Sequence, residues 1–125
     1  MLMRTLKTVF VPGVLLWLIP FCAGMAAFPL QASNAALFDT VVTLFVAVAA
    51  VVCATFFGRA AVSRSAGAAL GLGMLWWAIC VAIDMPMFVF AMHMPAADYV
   101  ADIGLAYGIA PIFMTGCALM KRRTQ

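Results

Sequence analysis

Apolar residues in this chain come in long blocks, and polar residues gather between the blocks instead of alternating with them. A run of that length that lacks a two-residue rhythm reads as a buried or membrane helix, not as a strand. Taking polar punctuation as the boundaries predicts four helices, at about 9–30, 37–57, 67–91 and 97–120. Each is close to the roughly 20 residues that carry a helix across a hydrocarbon core about 30 Å thick. The first two have no charge in their interiors, the third contains Asp84 and the fourth contains Asp102.

Composition turns this pattern into a location. Hydrophobic residues make up 68% of the chain and charged ones 9%, whereas a soluble domain is about one quarter charged. The chain has too few ionic groups to cover a water-exposed surface, and disorder needs the opposite balance. The expected fold is therefore an all-α integral membrane four-helix bundle in which residues 1–125 form a single transmembrane domain.

The basic residues orient it. Arg4 and Lys7 precede the first segment, Arg59 and Arg64 lie between the second and third, and Lys121, Arg122 and Arg123 follow the fourth. The alternate loops, 31–37 and 92–97, contain no Lys or Arg. The positive-inside rule predicts a multi-pass protein of the inner (cytoplasmic) membrane with both termini cytoplasmic. The N-terminus has the basic and apolar regions of a signal peptide, but its apolar stretch of about 22 residues exceeds a typical h-region, so a retained helix is expected. The net charge of +3 does not point to nucleic acid, because every basic residue has a topological place at a membrane end. Lipid headgroups are the expected counterpart.

Shifting the chain by 59 positions aligns Leu16–Trp17 with Leu75–Trp76 and Asp39 with Asp98. Such a repeat implies two helical hairpins in the same orientation, related by an axis along the membrane normal.

Asp84 and Asp102 are the residues most in need of explanation, since an ionisable group inside a span is costly and marks function by default. Both fall in the outer half of their segments, where adjacent antiparallel helices would let two carboxyls meet and share a proton or a cation. Asp98, four residues before Asp102, would then stand at the mouth of the site. The plainer alternative for Asp84 is a local contact with a backbone carbonyl freed by Pro86. Asp39 and Asp98 also suit the first turn of a helix, where a carboxylate meets free N–H groups.

A second candidate is the stretch from Met85 to Met94, in which Met85, Met87, Met92 and Met94 accompany His93, the only histidine. Thioethers and imidazole suit Cu(I), although methionine is also an ordinary packing residue. Cys22, Cys53, Cys80 and Cys117 fall one per segment with no C-x-x-C pair, and read as buried small apolar residues. The indole of Trp77 shares a helical face with Cys80 and Asp84 and is expected to point inward. The spacings Gly67-x-x-x-Gly71 and Gly104-x-x-x-Gly108 predict close helix packing. No zinc spacing, phosphate loop or nucleophile elbow is present, so no enzyme activity and no cofactor are expected.

The runs Leu75–Trp76–Trp77…Asp84–Met85–Pro86 and Ala97–Asp98–Tyr99…Asp102–Ile103–Gly104…Tyr107…Pro111 resemble those of small prokaryotic four-helix membrane proteins of unknown function. The resemblance implies the fold and carries no activity with it. Three functions follow as expectations. The first is a non-enzymatic accessory or assembly protein that packs on a membrane partner or on copies of itself. The second is a small proton- or cation-coupled transporter or channel using Asp84 and Asp102. The third is an outer-facing Cu(I)-binding protein.

Overall fold

Three prolines do not break the first helix. In a computed structural model that describes residues 1–125, α1 runs unbroken over Leu2–Ser33 with Pro12, Pro20 and Pro29 inside it. It begins seven residues before the apolar block, because Leu2, Met3, Arg4, Leu6 and Lys7 are good helix formers and nothing stops the turn. The second helix, α2, covers Ala35–Phe57, and a single turn-and-a-half, α3, covers Arg59–Arg64. The third long helix, α4, runs from Ala66 to Met85 and continues as a π-helix over Pro86–Ala91. A short α5 (Ala96–Tyr99), a π-helical stretch (Val100–Gly104), a 3-10 turn (Ala106–Gly108) and α6 (Ile109–Arg123) complete the chain.

The protein is all-helical, with three helices long and apolar enough to cross a membrane. A fourth candidate is the pair Ala96–Gly104 and Ala106–Arg123, bent by 42°. That bend was not anticipated in a segment read as continuous from 97 to 120. Its cause is local: Gly104 and Gly108 are poor helix formers, and Pro111 offers no N–H to the carbonyl four residues earlier, Tyr107.

The helix starts differ from expectation in one more way. Asn34, not Asp39, caps α2, accepting a hydrogen bond from the Leu37 N–H at 3.1 Å. Asn is among the preferred N-caps, and with the helix starting at Ala35, Asp39 falls beyond its first turn. Asp98 does lie in the first turn of α5, but makes no capping hydrogen bond.

The interior is made mostly of small side chains. Ala49, Ala50, Cys53, Ala69, Cys80, Ala110 and Ala118 are fully buried around Leu16, Trp76 and Met114. Small residues let helix backbones approach, which is how spans associate when lipid removes the hydrophobic drive. Only 22 of 125 residues are buried, and the outer faces carry large apolar side chains such as Phe28, Leu44, Phe56 and Ile112, as an environment of acyl chains requires.

The closest approaches involve glycines other than those picked out by spacing. A Cβ at Gly13 would come within 2.7 Å of the Ile79 side chain, and one at Gly73 within 2.5 Å of Pro111 Cα. By contrast, Gly71 and Gly108 have nothing within 4 Å, and Gly67 meets only the nearby Ser65 hydroxyl at 3.9 Å. Gly104 is buried beside the Tyr99 ring, and a Cβ there would meet its Cε1 at 3.5 Å, an ordinary contact. A four-residue spacing identifies a small face but not whether that face turns inward, and on α4 it turns outward.

Hydrogen bonds fix the register of α1 against α4. The Trp76 indole donates to the Thr8 carbonyl (3.1 Å), Cys80 Sγ to the Gly13 carbonyl (3.5 Å) and Trp17 Nε1 to Asp84. Residue numbers rise together along both helices, so α1 and α4 run parallel. Thr8 is four residues before Pro12, so its carbonyl has lost its usual helical donor; Trp76 replaces that donor. Removing the indole N–H with Trp76→Phe is expected to destabilise the protein by about 0.6–1.7 kcal/mol, the range for an interhelical hydrogen bond in a membrane. Reversible unfolding in mixed micelles would measure this, and an unchanged midpoint would mean that the Thr8 carbonyl needs no donor.

At one end of the molecule Lys121 Nζ donates to Ser63 Oγ at 2.7 Å, which places the C-terminal basic cluster beside the Arg59–Arg64 turn.

Candidate functional site

Asp84 is the penultimate residue of α4, two residues before the switch to π-helical geometry at Pro86. It is 1% exposed and is the buried charged side chain of the core. Both of its oxygens are engaged. Oδ1 accepts from Trp17 Nε1 at 2.5 Å and Oδ2 accepts from the Tyr99 hydroxyl at 3.1 Å. Trp17 lies near the middle of α1, and Tyr99 ends α5. One carboxyl thus joins α1, α4 and α5.

Aromatic packing holds both donors in place. The Trp17 ring stacks on Phe21 with centroids 4.7 Å apart, and Tyr99 stacks on Phe88 at 5.9 Å. The two donors replace part of the hydration that the interior withholds from a carboxyl. Around them lie Cys80, whose thiol is turned to the Gly13 carbonyl, and the buried Tyr107, which stands beside the same carboxyl. The carbonyl freed by Pro86, the simplest expected partner of Asp84, is not the one it uses.

The structure does not bring the expected carboxyl pair together. Asp102 lies exposed on the π-helical stretch, and Asp98 is exposed one turn before it. Neither shares a hydrogen bond with Asp84, whose oxygens are occupied by Trp17 and Tyr99. The π-helical geometry of Val100–Gly104 shifts the phase of the helix, so depth counted along the sequence does not give the direction of the side chain.

The methionine-rich stretch runs from the last residue of α4 through the π-helix Pro86–Ala91 into the turn at 92–94. His93 is exposed and is the one non-glycine residue with positive φ, at 53°, a conformation that histidine tolerates better than most residues. Met92 is also exposed, whereas Met85, Met87 and Met94 are half-buried. The stretch is therefore divided between an outward tip and an inward flank. No three His, Cys, Asp or Glu side chains converge anywhere in the chain.

Trp77 reaches across as expected. Its indole donates to the Gly104 carbonyl at 2.9 Å, a group left free because Gly108 N–H turns to Leu105 instead. Of the cysteines, Cys53 and Cys80 are buried, Cys117 is half-buried and Cys22 faces outward. The expectation of four buried thiols thus holds fully for Cys53 and Cys80, in part for Cys117, and fails at Cys22, on an exposed face of α1.

Tyr99 and Trp17 are the partners that sequence reasoning did not assign to Asp84. A signal existed for Tyr99. Only two tyrosines occur in the chain, both inside the fourth apolar segment, where a hydroxyl needs an acceptor. Comparison with protein-family models, curated proteins and solved structures finds no match to this chain.

Proposed function

We propose that this protein is a small non-enzymatic integral membrane protein, a four-span bundle with both termini cytoplasmic, that acts by packing against a membrane partner or a second copy of itself. The observation that carries this reading is the occupancy of Asp84. Its two oxygens are committed to donors of the same chain, which makes the carboxyl a joint between spans. The bent pair Ala96–Gly104 and Ala106–Arg123 serves as the fourth span. The outward glycine face of α4, Gly67 and Gly71, supplies a surface on which another helix can approach closely.

One observation favours a proton- or cation-coupled carrier as the second reading. Tyr107 and Cys80 lie beside Asp84, so exchangeable protons cluster at that depth. The two readings predict different behaviour after extraction in a mild detergent. The packing reading expects the tagged full chain to co-purify with a membrane partner or with an untagged copy. A lone monomer that drives proton or cation flux in liposomes would overturn it and establish the carrier.

A further inference from the structure

We propose that the outer groove between α4 and α6 is a binding site for one anionic phospholipid, with an acyl chain in the groove and the phosphate on Arg122 and Arg123. The inference rests on the membrane-spanning part of the reading above, and not on a protein partner.

The groove has a volume of about 600 Å³. Leu70, Met74 and Trp77 form the α4 wall, and Leu105, Ile112 and Leu119 stand on the other side. Between them the floor is low, because Gly108 and Gly116 carry no side chain and a Cβ at either would meet nothing within 4 Å. From Leu105 to Leu119 the chain advances about 21 Å at about 1.5 Å per residue. That is about 70% of a hydrocarbon core about 30 Å thick, enough to take the full depth of an acyl chain of one leaflet.

Charge complementarity selects the headgroup. Across Gly116 and Leu119 the groove meets a second hollow of about 460 Å³, whose lining includes Arg122 and Arg123. Lys121, the other base of this terminus, is turned away to Ser63 Oγ. The two arginine side chains make no hydrogen bond within the chain and stand where the apolar groove ends. A guanidinium pair over an apolar channel fits a phosphate diester with an acyl tail, since Arg presents several donors to phosphate oxygens. A helix of a protein partner would fill the groove but leave both charges unanswered.

The test uses the full chain in detergent and brominated phospholipids, which quench the indole of Trp77 in the groove wall. Dibrominated phosphatidylglycerol is expected to bind about 30-fold more tightly than dibrominated phosphatidylcholine, about 5-fold for each arginine. Arg122→Gln with Arg123→Gln is expected to bring the two lipids to parity, and both positions are exposed, so the substitutions disturb no packed contact. Gly108→Leu with Gly116→Leu fills the floor and is expected to abolish quenching by both lipids. Equal affinities in the native protein, or an unchanged preference in the arginine variant, overturns the proposal. So does displacement of the lipid by glycerol phosphate or inorganic phosphate, which would make the site one for a free anion. None of these outcomes depends on whether a partner co-purifies.

Discussion

Replacing Asp84 with leucine is expected to cost about 3 kcal/mol or more, chiefly because it strands two donors. Leucine has the branched shape of aspartate and is larger, so no cavity is left. The loss falls on Trp17 N–H and the Tyr99 hydroxyl, which donate to Oδ1 and Oδ2 and have no water to turn to. A buried donor left without an acceptor costs about 1–3 kcal/mol, and two are stranded together. Asp84→Asn keeps one acceptor oxygen and turns an NH2 group toward the other donor, so it is expected to lose about half as much. The signature of a joint is rescue. Adding Trp17→Phe and Tyr99→Phe to the leucine variant removes the stranded groups, and an apolar trio is expected to recover much of the loss. Reversible unfolding in mixed micelles gives the three values, and a double-mutant cycle between positions 84 and 99 isolates the coupling. Native stability in Asp84→Leu would show that the carboxyl holds nothing together, and would return it to the carrier reading.

The parts of this molecule that were legible in the sequence are those set by the bilayer acting on one helix at a time. Length and apolarity place the long helices, and the segment read at 67–91 lies within one residue of the helical span Ala66–Ala91. The burden on Asp84 was legible for the same reason, since any charge in such a block needs a partner. Which partner was not legible, because it depends on how α1 lies against α4. Trp17 meets Asp84 at a separation of 67 residues, an offset created by Gly13 seating against Ile79 and by Trp76 reaching the carbonyl freed by Pro12. No local periodicity encodes that register. Asp102 lies exposed on the π-helical stretch Val100–Gly104, and a π-helical turn changes the direction of side chains from that of an α-helical count. The glycine spacings failed differently. They mark where a close approach is tolerated, whereas the actual contact at Gly73 was set by the ring of Pro111 opposite it.

Gly73→Leu is the second large effect expected, and it tests the α4–α6 contact directly. A Cβ at position 73 would lie 2.5 Å from Pro111 Cα and 3.0 Å from both Pro111 N and Cβ. These are backbone and ring atoms, which cannot rotate aside as a flexible side chain can. Even alanine there forces the helices apart, and leucine adds three further carbons to a fully occupied space. Overpacking of this kind costs about 1–3 kcal/mol and sometimes more. Here the separation also loosens the bond from Trp77 to the Gly104 carbonyl, so the upper end of that range is expected. Two controls bound the result. Gly58→Ala presses on Met114 Cε and Sδ, both at 2.8 Å, and on the Ala54 carbonyl oxygen at 2.9 Å. The thioether end can swing away and only one backbone atom is met, so a loss below that of Gly73→Leu is expected. Gly71→Leu projects into open space and is expected to leave the monomer as stable as the native chain. The readouts are the thermal midpoint and the monodispersity of purified protein in detergent. Equal damage from Gly73→Leu and Gly71→Leu would mean that α4 does not meet α6 through Gly73. Damage from Gly71→Leu confined to assembly, with the monomer intact, would show that a second helix covers the outward glycine face.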